Sequence, residues 1–405
     1  MTVGLDRVML LIESGGPGGA ERVVLKLATG LRDRGLEVAV VTTREGWLTD
    51  RLAEARIAHE RIDAGGRLDP GFAWRIAGQI RDRGSQVLHS HLLDSNLYGA
   101  IAAKIAGVRH VATEHGDVHH TQAKKFLTAK VRLISGLGSQ MTAVSQFTAN
   151  RMAELGANSG RICRVGNPVE MPQARDDGCA ERLRKEVGIV DPAHWLWTHV
   201  ANLRPVKDQD TLLAGFAHAL RLGPRGQTLC LLGDGDQRTR LEARALELGI
   251  GEQVHFLGFR DDVMDWLQAS DGFVLSSRSE AMPMSLLEAS LAGCFPVCTR
   301  VGGVSEVVID TVTGSLVAAG DAQAMGVAMS QAAQRADRSR QMARDMQCRV
   351  EQEFGMARIL DAYLDLYAGG GLPEFGRFRA LPPQRSAENG FDGAEPQATQ
   401  VSVDR

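Results

Sequence analysis

The sequence predicts an α/β protein built from two doubly wound domains, each a parallel sheet covered by helices on both faces. Three observations predict it. Short aliphatic and β-branched runs alternate with longer stretches of helical periodicity over residues 7–165, the pattern of βαβ units and a mostly parallel sheet. The alternation pauses over residues 170–177, a stretch with Pro172 and several charges, and restarts at residue 195. The chain has 405 residues, enough for two domains at roughly 150 residues each.

The first domain is assigned to residues 1–168. Its expected strands are 7–12, 37–43, 86–91, 109–115, 141–145 and 161–165, with helices at 20–34, 72–83, 95–106 and 147–155. A linker, 169–194, carries a short helix at 179–187. The second domain, 195–354, has expected strands at 195–201, 228–232, 254–257, 272–276, 295–299 and 315–317, and helices at 211–220, 322–335 and 338–353. A last helix, 356–367, lies in a separate segment, 355–369, and ends at Gly369-Gly370-Gly371, a strong stop. Residues 370–405, dominated by Pro, Gly, Ser, Gln and charges, read as a disordered tail.

The net charge of −3 supplies no global basic field, so no nucleic-acid partner is expected. The six cysteines form no CxxC pair and several sit in apolar strand-like runs, so they read as buried thiols of a reducing compartment. The apolar run at 8–12 is too short for a signal peptide, and no window reaches the roughly 18 apolar residues of a spanning helix. A cytoplasmic protein is expected. Peripheral contact with the inner face of the membrane is carried by residues 121–134, a basic amphipathic stretch suited to an anionic surface or a lipid-linked acceptor. An ordinary solvent-facing helix reads the same way.

In open parallel sheets, ligands bind outside the carboxyl ends of the strands, so motifs just after strands carry the weight. Gly15-Gly16-Pro17-Gly18-Gly19-Ala20-Glu21 follows the first strand and opens a helix. Its free amides suit a phosphate or a sugar hydroxyl. It is neither the dinucleotide fingerprint, because residue 21 is Glu, nor a Walker loop, because no Gly-Lys-Ser/Thr follows. Asn202-Leu203-Arg204-Pro205-Val206-Lys207 follows a second-domain strand, and its two cations can clamp a diphosphate. Glu280-Ala281-Met282-Pro283-Met284-Ser285-Leu286-Leu287-Glu288 follows another. There, amides at a helix start are bracketed by two carboxylates that can accept hydrogen bonds from ribose or sugar hydroxyls. Glu288 has apolar neighbours in its helix and needs a partner if buried. Gly302-Gly303 with Glu306 is equally a turn and a site element. His115 ends a strand at the expected cleft edge, and His89 and His91 share one face of another strand. His115, His119 and His120 lack the further ligands a metal site needs, so no metal is expected. The acidic pairs Asp208/Asp210 and Asp234/Asp236 read as turns.

With these residues in place, the chain resembles the group 1 (family 4) glycosyltransferases of the GT-B fold over about residues 7–368. The two-glutamate segment from Glu280 to Glu288 resembles that family's E-x7-E motif. Gly15–Glu21, Asn167-Pro168-Val169, Gly233-Asp234-Gly235 and Gly302-Gly303 follow in family order. The resemblance implies two Rossmann-like domains facing across a cleft, with the last helix crossing back to the first. It implies metal-free, cofactor-free transfer, with retention, of a sugar from a UDP- or GDP-sugar to a polysaccharide, lipid-linked or other glycan acceptor. Arg204 and Lys207 would neutralise the diphosphate. Glu288 would hold the ribose, and Glu280 a hydroxyl of the transferred sugar. Gly233 and residues Ala281, Met282, Pro283, Met284, Ser285 and Leu286 would line the donor site. Gly16 and Gly18 would close over the diphosphate, and His115 would lie near the reacting sugar. The family often has Gly-Arg-Leu where this chain has Ala201-Asn202-Leu203, so the guanidinium role moves to Arg204. The alternatives are a non-catalytic nucleotide-sugar-binding partner and a nucleotide-sugar epimerase of the same architecture.

Overall fold

Two parallel sheets carry the fold of the computed structural model, which describes residues 4–64, 69–116, 124–174, 176–224 and 226–370. The first sheet comprises β1 (Arg7–Ile12), β2 (Glu37–Thr42), β3 (Ala58–Arg61), β4 (Val87–His91), β5 (Arg109–Glu114), β6 (Gln140–Ala143) and β7 (Ile162–Arg164). Their order is β3-β2-β1-β4-β5-β6-β7. The second comprises β8 (Trp195–Val200), β9 (Gln227–Leu232), β10 (Val254–Gly258), β11 (Gly272–Leu275), β12 (Phe295–Thr299) and β13 (Ser315–Val317), in the order β10-β9-β8-β11-β12-β13. Both orders reverse direction beside their first strand. The crevice that this reversal opens at the carboxyl ends of the strands is where such sheets bind ligands.

Central strands read as near-continuous apolar runs because both faces are covered. Met9, Leu11 and Leu88 pack beneath Phe72, Ile76 and Ile80 in the first domain. Trp197, Leu229 and Leu231 pack with Phe216, Met325 and Met329 in the second. The sequence reading missed helix Trp47–Glu54 and β3. β3 is an edge strand, Ala-His-Glu-Arg, with no fully buried residue, so it carries no apolar alternation to read.

The chain passes between the domains twice, and the two passages lie side by side. Val169 N–H donates to the Phe354 carbonyl (2.9 Å), and Met356 N–H donates to the Val169 carbonyl (2.8 Å). Helix Met356–Ala368 then returns to the first domain, packing on helix Gly19–Asp33 and β5. Arg34 pairs with Asp361 at its edge (2.7 Å), and Gly369 ends it in the left-handed region (φ 82°).

The cysteines depart in part from expectation. Cys163, Cys230, Cys294 and Cys298 are buried, but Cys179 is half-buried and Cys348 exposed; all six are free. Helix Lys124–Gly136 contains most of the expected basic amphipathic segment. Residues 121–123, His119, His120 and residues 371–405 of the expected tail lie outside the described residues. No described helix is long and apolar enough to cross a membrane.

Leu360, 3% exposed, anchors the returning helix. Leu360→Ala is expected to lower unfolding free energy by about 2–5 kcal/mol, the usual cost of a core cavity, as read from urea or guanidinium midpoints.

Candidate active site

A cavity of ≈ 450 Å³ lies at the carboxyl ends of both sheets, and both domains line it. Pro17 to Arg22, Leu92, His115, Gly116 and Asn167 come from the first domain. The second supplies Asn202 and Lys207 after β8, Gly233 after β9, Phe259 and Arg260 after β10, and Glu280 to Ser285 with Glu288 after β11.

The second-domain wall is built around helix Met284–Leu291, whose N-cap is Pro283. No side chain caps that end, so its first amides are free for an acceptor. Glu280 precedes it, 9% exposed. Its Oε1 accepts from Lys207 Nζ (2.5 Å) and Ser277 Oγ (2.6 Å). Lys207 is aimed by its own backbone, since its carbonyl accepts from Ser276 Oγ (2.8 Å). The next residue, Asp208, takes the left-handed conformation (φ 50°) and starts helix Gln209–Leu222. Glycines at 302 and 303 hold the Glu280 loop from below. A Cβ at Gly302 would lie 1.6 Å from the Glu280 carbonyl oxygen, and one at Gly303 1.9 Å from that of Ala281. This pair is therefore structural support for the site. Glu306 serves elsewhere: its carboxylate accepts from Gln146 N–H (2.8 Å), Phe147 N–H (3.2 Å) and Arg164 (3.0 Å) of the first domain.

Glu288 lies one turn into the helix, half-buried on the cavity wall. The partner expected for it is not a contact ion pair. Burial raises its pKa, and Arg22 and Lys26 across the cleft pull against that rise. On the first-domain wall, helix Gly19–Asp33 begins at Gly18 with no side-chain cap, so a second set of free amides faces the same space. Ser14 Oγ donates to Glu21 and ties down the glycine-rich turn. His115 stands beside it at the end of β5, and burial pushes its pKa down to about 4, leaving it neutral.

Gly18, His115, Lys207, Gly233, Glu280 and the stretch from Ala281 to Ser285, with Glu288, therefore share one cavity wall or face it. Gly16, Arg204 and Leu286 are not among its lining residues. Leu286 is fully buried in the core, and Gly16 and Arg204 are exposed. The loop after β8 turns through Asn202, which lines the cavity, so the side chain there is an amide and not a guanidinium. Sequence reasoning missed Arg260, which lines the cavity. It is held by Asp262 through two hydrogen bonds (2.7 and 2.5 Å) and lies over the Trp266 ring (5.7 Å). Its signal was a cation just after the strand at 254–257. Asn167, at the domain junction, was also missed as a wall residue; its Nδ2 donates to the Met282 carbonyl (3.0 Å). Among the described residues no three His, Cys, Asp or Glu side chains are grouped to hold a metal ion.

Two family models match: glycosyltransferase family 4 over residues 17–171 and glycosyl transferases group 1 over residues 183–347. The chain is a group 1 (family 4) glycosyltransferase. This glycosyltransferase is 27% identical over 361 residues (86% of the chain, 93% of the relative) to the N-acetyl-alpha-D-glucosaminyl L-malate synthase of Bacillus anthracis. It is 28% identical over 371 residues (87% and 97%) to the lipopolysaccharide core biosynthesis glycosyltransferase LpsE of Rhizobium meliloti. Among solved structures it superposes on Anabaena HepE in complex with UDP-glucose (TM-score 0.78, 23% identity, 90% and 99% coverage). It also superposes on WaaG, a glycosyltransferase involved in lipopolysaccharide biosynthesis (TM-score 0.66, 17% identity, 90% and 100% coverage). These neighbours carry the GT-B fold.

Two carboxyls beneath the first-domain wall are held protonated by burial. Burial raises Glu114 to about 8 and Glu13 to about 7, from 4.5, with Asp94 adding repulsion to each. Both bind protons more tightly folded than unfolded, so their contribution to stability falls as pH rises from about 4.5 to 8. The buried histidines act oppositely. His110, His115 and His199 sit at about 3, 4 and 4, below the unfolded value of 6.5, so stability falls as pH drops below 6.5. Glu114→Gln is expected to flatten the loss of thermal stability between pH 6.5 and 8 and to steepen the acid-side loss between about pH 6.5 and 4.5, where the Glu114 proton offsets the histidines. Midpoint temperatures across that range check this.

Proposed function

We propose that this glycosyltransferase moves a glycosyl group from a UDP- or GDP-sugar to a hydroxyl of a polysaccharide, lipid-linked or other glycan acceptor, with retention and without a metal. The observation that carries this reading is the meeting, in one cavity, of two uncapped helix N-termini, the Lys207–Glu280 pair and the half-buried Glu288. Free helix amides and fixed cations in one cleft favour a diphosphate, most strongly as it gains charge on departure. Lys207 neutralises the leaving diphosphate, and Arg260 takes the guanidinium role first given to Arg204. Glu288 holds the ribose hydroxyls, as an acceptor-only group suits a diol. Glu280, already fixed by Lys207 and Ser277, receives a hydroxyl of the transferred sugar. Gly18 and the amides from Ala281 to Ser285 enclose the phosphates and sugar. In the step, the bond from the anomeric carbon to the phosphate oxygen breaks and the bond to the acceptor oxygen forms. The acceptor proton passes to the departing diphosphate.

HepE, of the same fold, was solved with UDP and with UDP-glucose, which makes UDP-sugars the first donors to test. The LpsE relative is named for lipopolysaccharide core synthesis, which supports a cell-surface glycan as acceptor. A cytoplasmic protein working at the inner membrane face fits helix Lys124–Gly136. Phe126 and Leu133, two helical turns apart, are both exposed there (59% and 47%), with exposed Arg132 between them.

Lys207→Ala is expected to lower kcat by about 10²–10³-fold, the worth of a preorganised charge stabiliser. Glu288→Ala should raise the donor KM by roughly tenfold or more, as for loss of a charge-assisted hydrogen bond. Arg260→Ala should cost more than Arg204→Ala. Acceptor-dependent release of nucleoside diphosphate measures all four. Full activity in both Lys207→Ala and Glu288→Ala would defeat the reading.

A further inference from the structure

We infer that His91 is a positioning residue that fixes the tautomer of His115, so that the cavity meets an N–H donor at His115 Nδ1. The inference deepens the reading above and rests on it for its catalytic meaning. His91 belongs to β4 and lies outside the cavity lining, fully enclosed behind His115. Its Nδ1 is 2.8 Å from His115 Nε2, with the two rings stacked at 5.1 Å. One proton lies between these nitrogens, and the surroundings decide which ring owns it.

His91 Nε2 is buried and has no hydrogen-bond partner among the described residues. If His91 accepted at Nδ1, its own proton would sit on Nε2 as a buried N–H with no acceptor. Such a donor carries the full desolvation penalty of its N–H, and orphaned buried N–H groups are rarer than orphaned acceptors. The proton therefore sits on His91 Nδ1 and is donated to His115 Nε2. Protonating both His91 nitrogens is no escape, because burial and the neighbouring imidazoles of His89 and His115 hold His91 far below its ordinary pKa.

His115 is neutral, and its Nε2 is now an acceptor, so its single proton is on Nδ1. Asn167, whose Nδ2 donates to the Met282 carbonyl (3.0 Å), keeps a buried Oδ1 with no hydrogen-bond partner among the described residues, so the placement of the proton on His115 rests on His91. His91 cannot turn away. Its ring lies 4.1 Å from that of His89, which is pinned between Tyr367 Oη (2.6 Å) and Thr113 Oγ1 (2.7 Å). The returning helix Met356–Ala368 thus braces, through Tyr367 and His89, the residue that sets the proton on His115. His115 Nδ1–H gives a hydrogen bond to a donor oxygen, either a hydroxyl of the sugar or a phosphate oxygen. It does not take the acceptor proton.

The test is 15N-detected histidine NMR on the full chain at pH 7, with His115 assigned by loss of its signals in His115→Ala. A pyrrole-type Nδ1 and a pyridine-type Nε2 at His115 are expected in the wild type; the reverse pattern overturns the inference. His91→Leu removes the donor and is expected to shift His115 toward its Nε2–H form. It should lower kcat roughly tenfold, the worth of one hydrogen bond, with donor KM within twofold. His91→Asn, whose Nδ2–H can stand in for the imidazole Nδ1–H, is expected to restore both tautomer and kcat. An unchanged tautomer and kcat in His91→Leu, or no better recovery in His91→Asn than in His91→Leu, overturns it. If His91→Leu does not fold, the wild-type tautomer decides alone. An absence of transferase activity in the wild type would defeat the proposed function while leaving the tautomer result standing.

Discussion

The site depends on one short loop, residues 280–283, being held from three directions at once. Lys207 and Ser277 grip the Glu280 carboxylate (2.5 and 2.6 Å). Gly303 N–H donates to the Glu280 carbonyl from below (3.2 Å). Asn167, from the first domain, donates to the Met282 carbonyl. These contacts link the ends of β8, β11 and β12 to the domain junction. A salt bridge in this setting is poor evidence for stability, because desolvation offsets much of its attraction. Its value here is geometric, since it fixes a cation and an anion within reach of the same helix N-terminus.

The same economy joins the two domains. Glu306 sits over the start of helix Gln146–Glu154, taking the backbone amides of Gln146 and Phe147 together with Arg164. An acidic group at that position is favoured by the helix dipole. Arg22 and Lys26 act from the other side, their charge opposing the rise in the Glu288 pKa. Each wall of the cleft thus supplies charges that the other needs. Burial raises the Glu13 and Glu114 carboxyls and lowers the imidazoles of His89, His91 and His115 beneath the first-domain wall.

Much of this was legible in the sequence. The parallel strands announce themselves as apolar runs because both sheet faces are covered, and the cavity-lining motifs fall just after strands, where the topology requires them. β3 and helix Trp47–Glu54 were not legible, because an edge strand with polar side chains has no apolar pattern. Arg204 is exposed and not among the cavity-lining residues; sequence spacing alone cannot show which way a turn points its side chains. The 3-10 turn Pro205–Lys207 brings Lys207 inward and leaves Arg204 outside. Arg260 stands far from the motifs in sequence and joins them only through the order of β10, β9 and β8. The His89–His91–His115 stack depends on strand register and on Tyr367, 278 residues from His89 along the chain, a pairing that no local pattern encodes.

The central claim is that the cleft between the two sheets binds a nucleoside diphosphate. Thermal or chemical unfolding of the protein with UDP, GDP and the matching nucleosides tests it most directly. A diphosphate at about 100 times its dissociation constant should add about 2.7 kcal/mol of apparent stability. The nucleoside without phosphates should add far less, and Lys207→Ala should lose most of the gain. No stabilisation by either diphosphate up to millimolar concentration, or a gain equal for nucleoside and diphosphate, would contradict it.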